Sequence, residues 1–242
     1  MCIYVTVYGM DQILKYNVYV MGDTHTSDFV DILKHYELED FILIHVGDFS
    51  IGFRSYESDM FYIDKLNKYC REHNGRILVI RGNHDLPTAF VGDSIYNTEF
   101  VEFVKDYTYK IINGKTFLFA GGAVSIDRQA RIAGKDYWFE EGFVLPDDYT
   151  SLSVCDVLIT HSAPVGFLPG KEGFAGISGW FKNDITLKDE LIRERRDLLT
   201  LYNHVQPKLA FFHGHFHVSS VQYINGILHR CLDINELVVW SY

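Results

Sequence analysis

This sequence of 242 residues has few cysteines, no long apolar run and little basic charge. Its four cysteines, Cys2, Cys70, Cys155 and Cys231, are widely scattered and form no Cys-x-x-Cys pair. They therefore suit neither a zinc knuckle nor the disulfide framework of a small secreted domain. We expect free thiols in a reducing compartment.

Apolar segments long enough for a membrane are also missing. No run approaches the roughly 20 residues that a spanning helix needs. Residues 1–9 lack a basic stretch ahead of a long apolar segment, so the start of the chain does not resemble a secretory signal. These absences predict a cytoplasmic protein with no membrane partner.

The shortage of basic charge bears on nucleic acids. The 22 Lys and Arg residues are outnumbered by 32 Asp and Glu residues, which gives a formal net charge of −10. A protein that coats nucleic acid needs clustered basic side chains to neutralise phosphates. We therefore expect nucleic acid only as a substrate, whereas an enzyme with a local cationic metal site remains compatible with this charge.

Apolar and aromatic residues are plentiful, at 48% and 15% of the chain. This content can bury one sizeable core, and we predict one domain over residues 1–242. Short runs rich in β-branched and aromatic residues recur between polar or glycine positions and predict strands. The predicted strands cover residues 16–21, 41–46, 76–80, 116–120, 156–160, 209–212 and 226–233, with another near 3–8.

Apolar residues at helical spacing predict helices over about 29–36, 60–70 and 187–203. Thr186 is the expected N-cap of the third helix, and Pro207 follows its end. Strands and helices alternate in the first half, which indicates parallel strands joined by crossovers, and the consecutive strands of the second half suggest another sheet. The predicted fold is α/β with two packed sheets. Two long loops, 123–148 and 163–184, lie beside strand ends, where substrate selection usually resides.

Several predicted strands end in side chains that commonly bind metals. In open α/β sheets, ligands bind outside the carboxyl ends of the strands, so residues from separate loops can converge there. Carboxylate, imidazole and amide ligands without thiolates suit Mn, Fe or Zn better than calcium. The sequence predicts a metal site formed by Asp23, His25, Asp48, Asn83, His161, His215 and His217.

The order of these blocks, Asp-x-His, Gly-Asp, Gly-Asn-His-Asp, His and Gly-His-x-His, resembles the pattern of the calcineurin-like metallophosphoesterase superfamily over residues 22–217. The resemblance implies a four-layer αββα sandwich of two mixed β-sheets flanked by helices. It also implies two divalent metal ions that share Asp48. One ion would be held by Asp23, His25, Asp48 and His217, and the other by Asp48, Asn83, His161 and His215.

The implied reaction is hydrolysis of a phosphate ester by a hydroxide that bridges the two metals and attacks phosphorus in line. The resemblance places His84 beside the metal ligands, where its imidazole would protonate the leaving oxygen, with Asp85 orienting it. Arg81 follows the third predicted strand directly. It is a candidate for binding the substrate phosphate, with a salt bridge at the strand end as the alternative.

Two further arginines, Arg128 and Arg131, belong to the block 121–131, which resembles a segment of bacterial and phage metallophosphoesterases whose substrates are poorly defined. Either side chain could bind a second phosphate or a leaving group, and a solvated basic turn is the alternative.

The resemblance does not extend to the protein Ser/Thr phosphatases. Those enzymes carry Asp-Arg-Gly after the second motif and Glu at the end of the third, whereas here Phe49 follows Asp48 and the third block ends in Asp85. We expect a small phosphate ester as substrate, hydrolysed as a monoester or a diester, with nucleotides among the candidates.

Two alternatives stay open: a metal-dependent nuclease of the same superfamily, and a non-catalytic binding or scaffolding protein that kept the fold. The second would be marked by lost ligands or a lost catalytic histidine. Every motif position is filled in this chain. The oligomeric state is left open.

Overall fold

A computed structural model describes residues 15–25, 29–167 and 176–241. In chain order the elements are β1 (Asn17–Met21), α1 (Phe29–Tyr36), β2 (Phe41–His45), α2 (Tyr56–Glu72), β3 (Arg76–Val79), β4 (Val101–Phe103), β5 (Thr108–Ile112), β6 (Lys115–Ala120), β7 (Val157–Thr160), α3 (Leu187–Val205), β8 (Ala210–His213), β9 (Ser220–Ile224), β10 (Ile227–Cys231) and β11 (Leu237–Trp240).

The strands form two mixed sheets. The first has the order β11-β1-β2-β3-β4 and the second the order β5-β6-β7-β8-β10-β9. In the first sheet β1 to β4 are parallel, and β11 pairs antiparallel with β1. In the second, β6, β7, β8 and β10 are parallel, with antiparallel β5 and β9 at the two edges. The loops after parallel neighbours therefore emerge on the same edge of each sheet.

Side-chain alternation along the central strands produces the layers. In β2, Leu43 packs with α1 and α2, whereas Ile44 faces the second sheet. In β8, Phe212 faces the first sheet and Phe211 packs against α3. Parallel strands covered on both faces need apolar residues at consecutive positions. The result is the predicted four-layer sandwich, with α1 and α2 on one outer face and α3 on the other.

The third helix begins at the predicted residue but is capped differently. Thr186 occupies the N-cap position without a side-chain hydrogen bond to the helix. The Asp184 carboxylate instead accepts the N–H of Leu187 at 3.1 Å. At the other end Gln206 adopts a left-handed φ of 43° and closes the helix just before Pro207. The prediction that Thr186 caps the helix with its side chain is therefore wrong, and Asp184 provides the cap.

Four strands were not predicted: β4, β5, β9 and β11. The first has only three residues, and β9 is largely exposed, so neither contains the long apolar run of a central strand. The strand predicted near residues 3–8 lies outside the described residues.

The cysteines within the described residues match the expectation of free thiols. Cys70, Cys155 and Cys231 are free and buried, and Cys2 lies outside the described part of the chain. None of the helices that the structure describes combines the length and apolar character of a membrane span.

Candidate metal centre

The predicted ligands lie on the loops that follow β1, β2, β3, β7 and β8. Four of the seven adopt a left-handed backbone, with φ of 49° at His25, 60° at Asp48, 68° at His215 and 51° at His217. Side chains other than glycine rarely adopt this conformation, which costs on the order of 1–3 kcal/mol per residue. The loops therefore accept strain at residues that carry donor atoms, as is typical of functional sites.

The first group of donors is partly open to solvent. Single donor atoms of Asp23, His25, Asp48 and His217 all lie within 4.8 Å of one another. His217 Nε2 is 3.2 Å from Asp23 Oδ2 and 3.1 Å from His25 Nε2. Because the His25 and His217 side chains are 25% and 45% exposed, we call these four residues the open cluster.

The second group lies deeper. His161 Nε2 is 3.2 Å from Asp48 Oδ1 and 3.0 Å from Asn83 Oδ1, and the same Asn83 oxygen is 2.9 Å from His215 Nδ1. His161 is 0% and Asn83 3% exposed. We call Asp48, Asn83, His161 and His215 the buried cluster. Asp48 belongs to both clusters, since its other oxygen, Oδ2, lies 3.9 Å from His25 Nδ1.

The chemistry and shape of these loops fit divalent metal ions. Carboxylate, amide and imidazole donors without thiolates suit Mn, Fe or Zn better than calcium. Gly82 and Gly214 lie directly against the carboxylates. A Cβ on Gly82 would be 2.1 Å from Asp48 Oδ1, and one on Gly214 would be 2.1 Å from Asp23 Oδ1, so any other residue would displace these donor atoms. Only glycine allows such close approach of the backbone.

Neighbouring groups set the direction and charge of the ligands. His161 Nδ1 lies 2.7 Å from the Val46 carbonyl oxygen and donates to it, so Nε2 is the ring nitrogen that faces the cluster. Burial opposes ionisation of Asp48, but the adjacent His161 imidazole holds the pKa of this carboxyl well below its usual range. Asp48 therefore presents a carboxylate to both clusters.

His84, the predicted proton donor, lies beside the clusters and is held by its own set of contacts. Its backbone N–H donates to Asp48 Oδ1 at 2.7 Å, and its ring centre is 5.0 Å from that of His25. The ring stacks on Phe53 at 5.8 Å, and its Nε2 is 3.2 Å from Arg131 Nη2. Burial lowers the pKa of His84. The negative charge of Asp48 opposes this effect, and the positive charge of Arg131 adds to it.

Asp85 does not occupy the place predicted for it. Its carboxylate accepts the backbone N–H groups of Asp48 and Gly82, both at 2.8 Å, and of Ile51 at 3.2 Å. It therefore ties the loop after β2 to the loop after β3. Both carboxylate oxygens of Asp85 bond to these backbone groups, so the prediction that Asp85 orients the His84 ring is wrong. Within the described residues, Arg131 and Phe53 contact that ring instead.

The three arginines predicted to bind substrate are all paired with carboxylates inside the protein. Arg81 is buried, pairs with Asp106 at 3.0 Å, and donates to the backbone oxygens of residues 140–142. It forms the strand-end salt bridge that was the alternative interpretation. Arg128 pairs with Asp184 at 2.6 Å and with Glu190 at 3.1 Å, so it is not a solvated basic turn. Arg131 pairs with Asp127 at 2.8 Å, and of the three it is the one whose guanidinium also contacts His84.

Two residues that support the buried cluster were not predicted from the sequence. Ser125 Oγ accepts from Asn83 Nδ2 at 2.9 Å, and Glu141 Oε1 accepts the backbone N–H of Ser125 at 3.0 Å. Ser125 lies within the block 121–131, but the motif directed attention to its arginines. A serine that contacts a ligand distant in sequence leaves no local pattern.

A third missed contact lies behind the open cluster. His45 Nε2 lies 3.0 Å from the hydroxyl of Thr24, which stands between two predicted ligands. Burial lowers the pKa of His45 to about 3, so its imidazole is neutral at physiological pH. The ring also packs edge-on against Phe29 and Phe49, with centroids 5.5 and 5.6 Å away.

Comparison with known proteins places this geometry in context. The family model for calcineurin-like phosphoesterases matches residues 16–219, and a search of curated protein sequences found no significant match. A putative 5′-nucleotidase from Staphylococcus aureus, solved in complex with alpha-ketoglutarate, is 12% identical with a TM-score of 0.52, over 93% of this chain and 51% of that one. The phosphopantetheinyl hydrolase of Mycobacterium tuberculosis is 14% identical with a TM-score of 0.44, over 92% and 91% of the two chains. Identities this low bear on the fold alone.

Proposed function

Because this chain belongs to the calcineurin-like phosphoesterase family, we propose that it hydrolyses small phosphate esters, monoesters or diesters, with two divalent metal ions. Family membership makes it a metal-dependent phosphoric ester hydrolase. The observation that carries the two-ion proposal is the position of Asp48. One of its oxygens lies 3.9 Å from His25 in the open cluster, and the other lies 3.2 Å from His161 in the buried cluster.

Each cluster would hold one ion, with manganese, iron and zinc all suited to the donors. When bound, the ions supply Lewis-acid chemistry, which polarises phosphoryl oxygens and lowers the pKa of bound water. The protein contributes the geometry. Asp85 links the two loops that bring Asp48 and Asn83 together, through N–H groups 2.8 Å away on Asp48 and Gly82, so the shared ligand is fixed before substrate arrives.

His84 is the proposed donor of a proton to the leaving oxygen. An arginine side chain only donates hydrogen bonds, so while Arg131 bonds to His84 Nε2 the proton of the neutral imidazole lies on Nδ1. A substrate phosphate would compete for the same guanidinium, because Arg binds phosphate oxygens well. Arg131 would then leave His84 Nε2 for the phosphate. The freed Nε2 would take up a proton from solvent water, and the resulting imidazolium would give a proton to the leaving oxygen.

Charge favours a small substrate over a polymer. The net charge is −10, and Arg81 and Arg128 are paired with carboxylates inside the protein. Neither guanidinium adds to a basic track along which a nucleic acid could bind. A small ester needs only the metal ions and one nearby cation. Arg131 is the candidate, because its guanidinium pairs with Asp127 but also reaches His84 beside the clusters.

The test is a hydrolysis assay on purified protein supplied with Mn²⁺. The substrates are p-nitrophenyl phosphate, bis-p-nitrophenyl phosphate, cyclic nucleotides and single-stranded DNA, and exposed Asp147→Asn serves as a control for purification and folding. We expect hydrolysis of a monoester or a diester in both proteins. Metal-loaded protein that cleaves none of the substrates would refute the proposal, and cleavage confined to DNA would replace it with the nuclease.

A further inference from the structure

Asn83 differs from the other ligands of the buried cluster because an amide can turn either its oxygen or its nitrogen toward a neighbour. Only the oxygen has lone pairs to offer a metal ion. Here Oδ1 lies 3.0 Å from His161 Nε2 and 2.9 Å from His215 Nδ1. Some other group must therefore bind the nitrogen and prevent the amide from flipping.

That group is the hydroxyl of Ser125, whose Oγ accepts from Asn83 Nδ2 at 2.9 Å. Ser125 is 1% and Asn83 3% exposed, so the amide N–H groups have little access to bulk water. A buried donor left without its partner costs about 1–3 kcal/mol. The bond to Ser125 therefore favours one orientation of the amide over the other.

A hydroxyl alone could donate to a flipped amide oxygen, so its own orientation matters. Ser125 is anchored by its backbone N–H, which donates to Glu141 Oε1 at 3.0 Å. The Ser125 hydroxyl oxygen is thereby held 2.9 Å from Asn83 Nδ2, where its lone pairs accept from the amide nitrogen.

Glu141 is in turn fixed against the strand that leads to Asn83. Its carbonyl oxygen accepts from Arg81 Nη1 at 2.6 Å and from the backbone N–H of Ala123 at 3.1 Å. Arg81 directly precedes Gly82 and Asn83. The contacts thus close a ring from the end of β3 through Glu141 and Ser125 back to Asn83.

We propose that Ser125, anchored by Glu141, is a positioning residue that holds the Asn83 amide with its oxygen toward the buried cluster. The inference rests on the proposed function insofar as that cluster binds a metal ion. The open cluster contains no amide ligand and does not depend on this support. Ser125 therefore acts on one of the two ions and not on the other.

The first test is a Mn²⁺ titration of metal-depleted protein by calorimetry. Ser125→Ala should lower the affinity for one Mn²⁺ ion by about 10–100-fold, the usual effect of losing a partner that orients a ligand. The affinity for the other ion should not change. Ser94→Ala removes another buried hydroxyl, one that accepts the N–H of Tyr96 at 3.3 Å, and should change neither ion. Unchanged binding of both ions in folded Ser125→Ala, or an equal loss at both, would overturn the proposal.

A double-mutant cycle separates positioning from general loosening. On an Asn83→Ala background there is no amide to orient, so adding Ser125→Ala should have no further effect on either ion. Ser125→Thr retains the hydroxyl, so it should bind the ion of the buried cluster more tightly than Ser125→Ala does. If Ser125→Ala weakens binding equally with and without the Asn83 amide, the residue is not acting through Asn83.

A second measurement needs no metal. In the metal-free protein, the NMR signals of the Asn83 side-chain NH₂, identified by their absence in Asn83→Ala, should shift and exchange faster with water in Ser125→Ala. Unchanged signals would overturn the contact. If the signals respond but the wild-type protein binds fewer than two ions, the positioning role stands while the proposed two-ion function fails.

Discussion

The open cluster and the buried cluster use the same kinds of side chain in different surroundings. In the open cluster the side chains of His25 and His217 are 25% and 45% exposed, and both residues take a left-handed backbone. In the buried cluster His161 is 0% and Asn83 3% exposed, and their orientation comes from hydrogen-bond partners on other loops. Because His215 of the buried cluster shares the left-handed backbone, the two clusters differ in exposure and in the hydrogen bonds that His161 and Asn83 make with other loops.

This difference predicts where each cluster is sensitive. Substitutions beyond the ligands should affect the buried cluster, because one contact orients the His161 imidazole and one orients the Asn83 amide. These are the Val46 carbonyl, 2.7 Å from His161, and the Ser125 hydroxyl, 2.9 Å from Asn83. Substitutions that affect the open cluster should be those of its ligands and their loops. Only Asp48 belongs to both.

The largest expected effect comes from Asp48→Asn, which removes the shared carboxylate. A neutral amide is a poor bridge between cations, so both ions should bind more weakly and hydrolysis should be lost. Metal content after dialysis, measured by mass spectrometry, checks this. Two fully occupied ions in the variant would show that Asp48 does not join the clusters.

His84→Ala should separate metal binding from turnover. Both ions should stay bound, because His84 belongs to neither cluster, while kcat falls by roughly the 10²–10⁴-fold typical of general acid–base catalysis. Metal content and kcat are measured on the same preparation. Loss of metal from a correctly folded variant would contradict the role given to this imidazole.

A matched pair of ligand substitutions tests whether the clusters are distinct. His217→Ala should weaken only the ion of the open cluster, and His161→Ala only that of the buried cluster, each by at least the 10–100-fold that losing an orienting partner costs. Titration of metal-depleted protein with Mn²⁺ resolves the two steps. If either substitution weakens the binding of both ions equally, the two clusters behave as one site and are not distinct.

The smallest effect concerns Glu194, which supports the segment next to Ser125 by accepting the N–H of Val124 at 2.6 Å. Burial raises the pKa of Glu194 from 4.5 to about 7. Between these values the folded state binds more protons than the unfolded state, so this group's contribution to stability is complete below pH 4.5 and is lost as pH rises to 7.

Glu194→Gln should remove that dependence. The free energy of unfolding of metal-free protein is measured with urea at pH 5 and at pH 8. Between these pH values it should fall by up to about 3 kcal/mol more in the wild type than in the variant. The affinity of the open cluster for its ion should not change. Equal pH dependence in the two proteins would show that Glu194 does not titrate in this window.

The central strands could be predicted from the sequence because burial on both faces requires continuous apolar runs, as in β2 and β8. The ligands could be located because parallel strands bring their carboxyl ends to one edge. The exposed edge strand β9 and the three-residue β4 carry no comparable pattern. Sequence motifs thus predicted which side chains the fold brings together.

The contacts around the ligands were not predictable in the same way. Asn83 and Ser125 are 42 residues apart, and Arg81 and Glu141 are 60 apart. Hydrogen bonds over such separations depend on how loops pack, which periodicity and spacing do not encode. The same reason explains why Asp85 was expected at His84 and instead binds backbone N–H groups of two loops.

Two metal ions in separate clusters joined by Asp48 would be visible by anomalous diffraction from crystals soaked in Mn²⁺. We expect two anomalous peaks, one among Asp23, His25 and His217 and the other among Asn83, His161 and His215, with one Asp48 oxygen beside each. A single peak, or a second peak that Asn83 and His161 do not contact, would contradict this expectation.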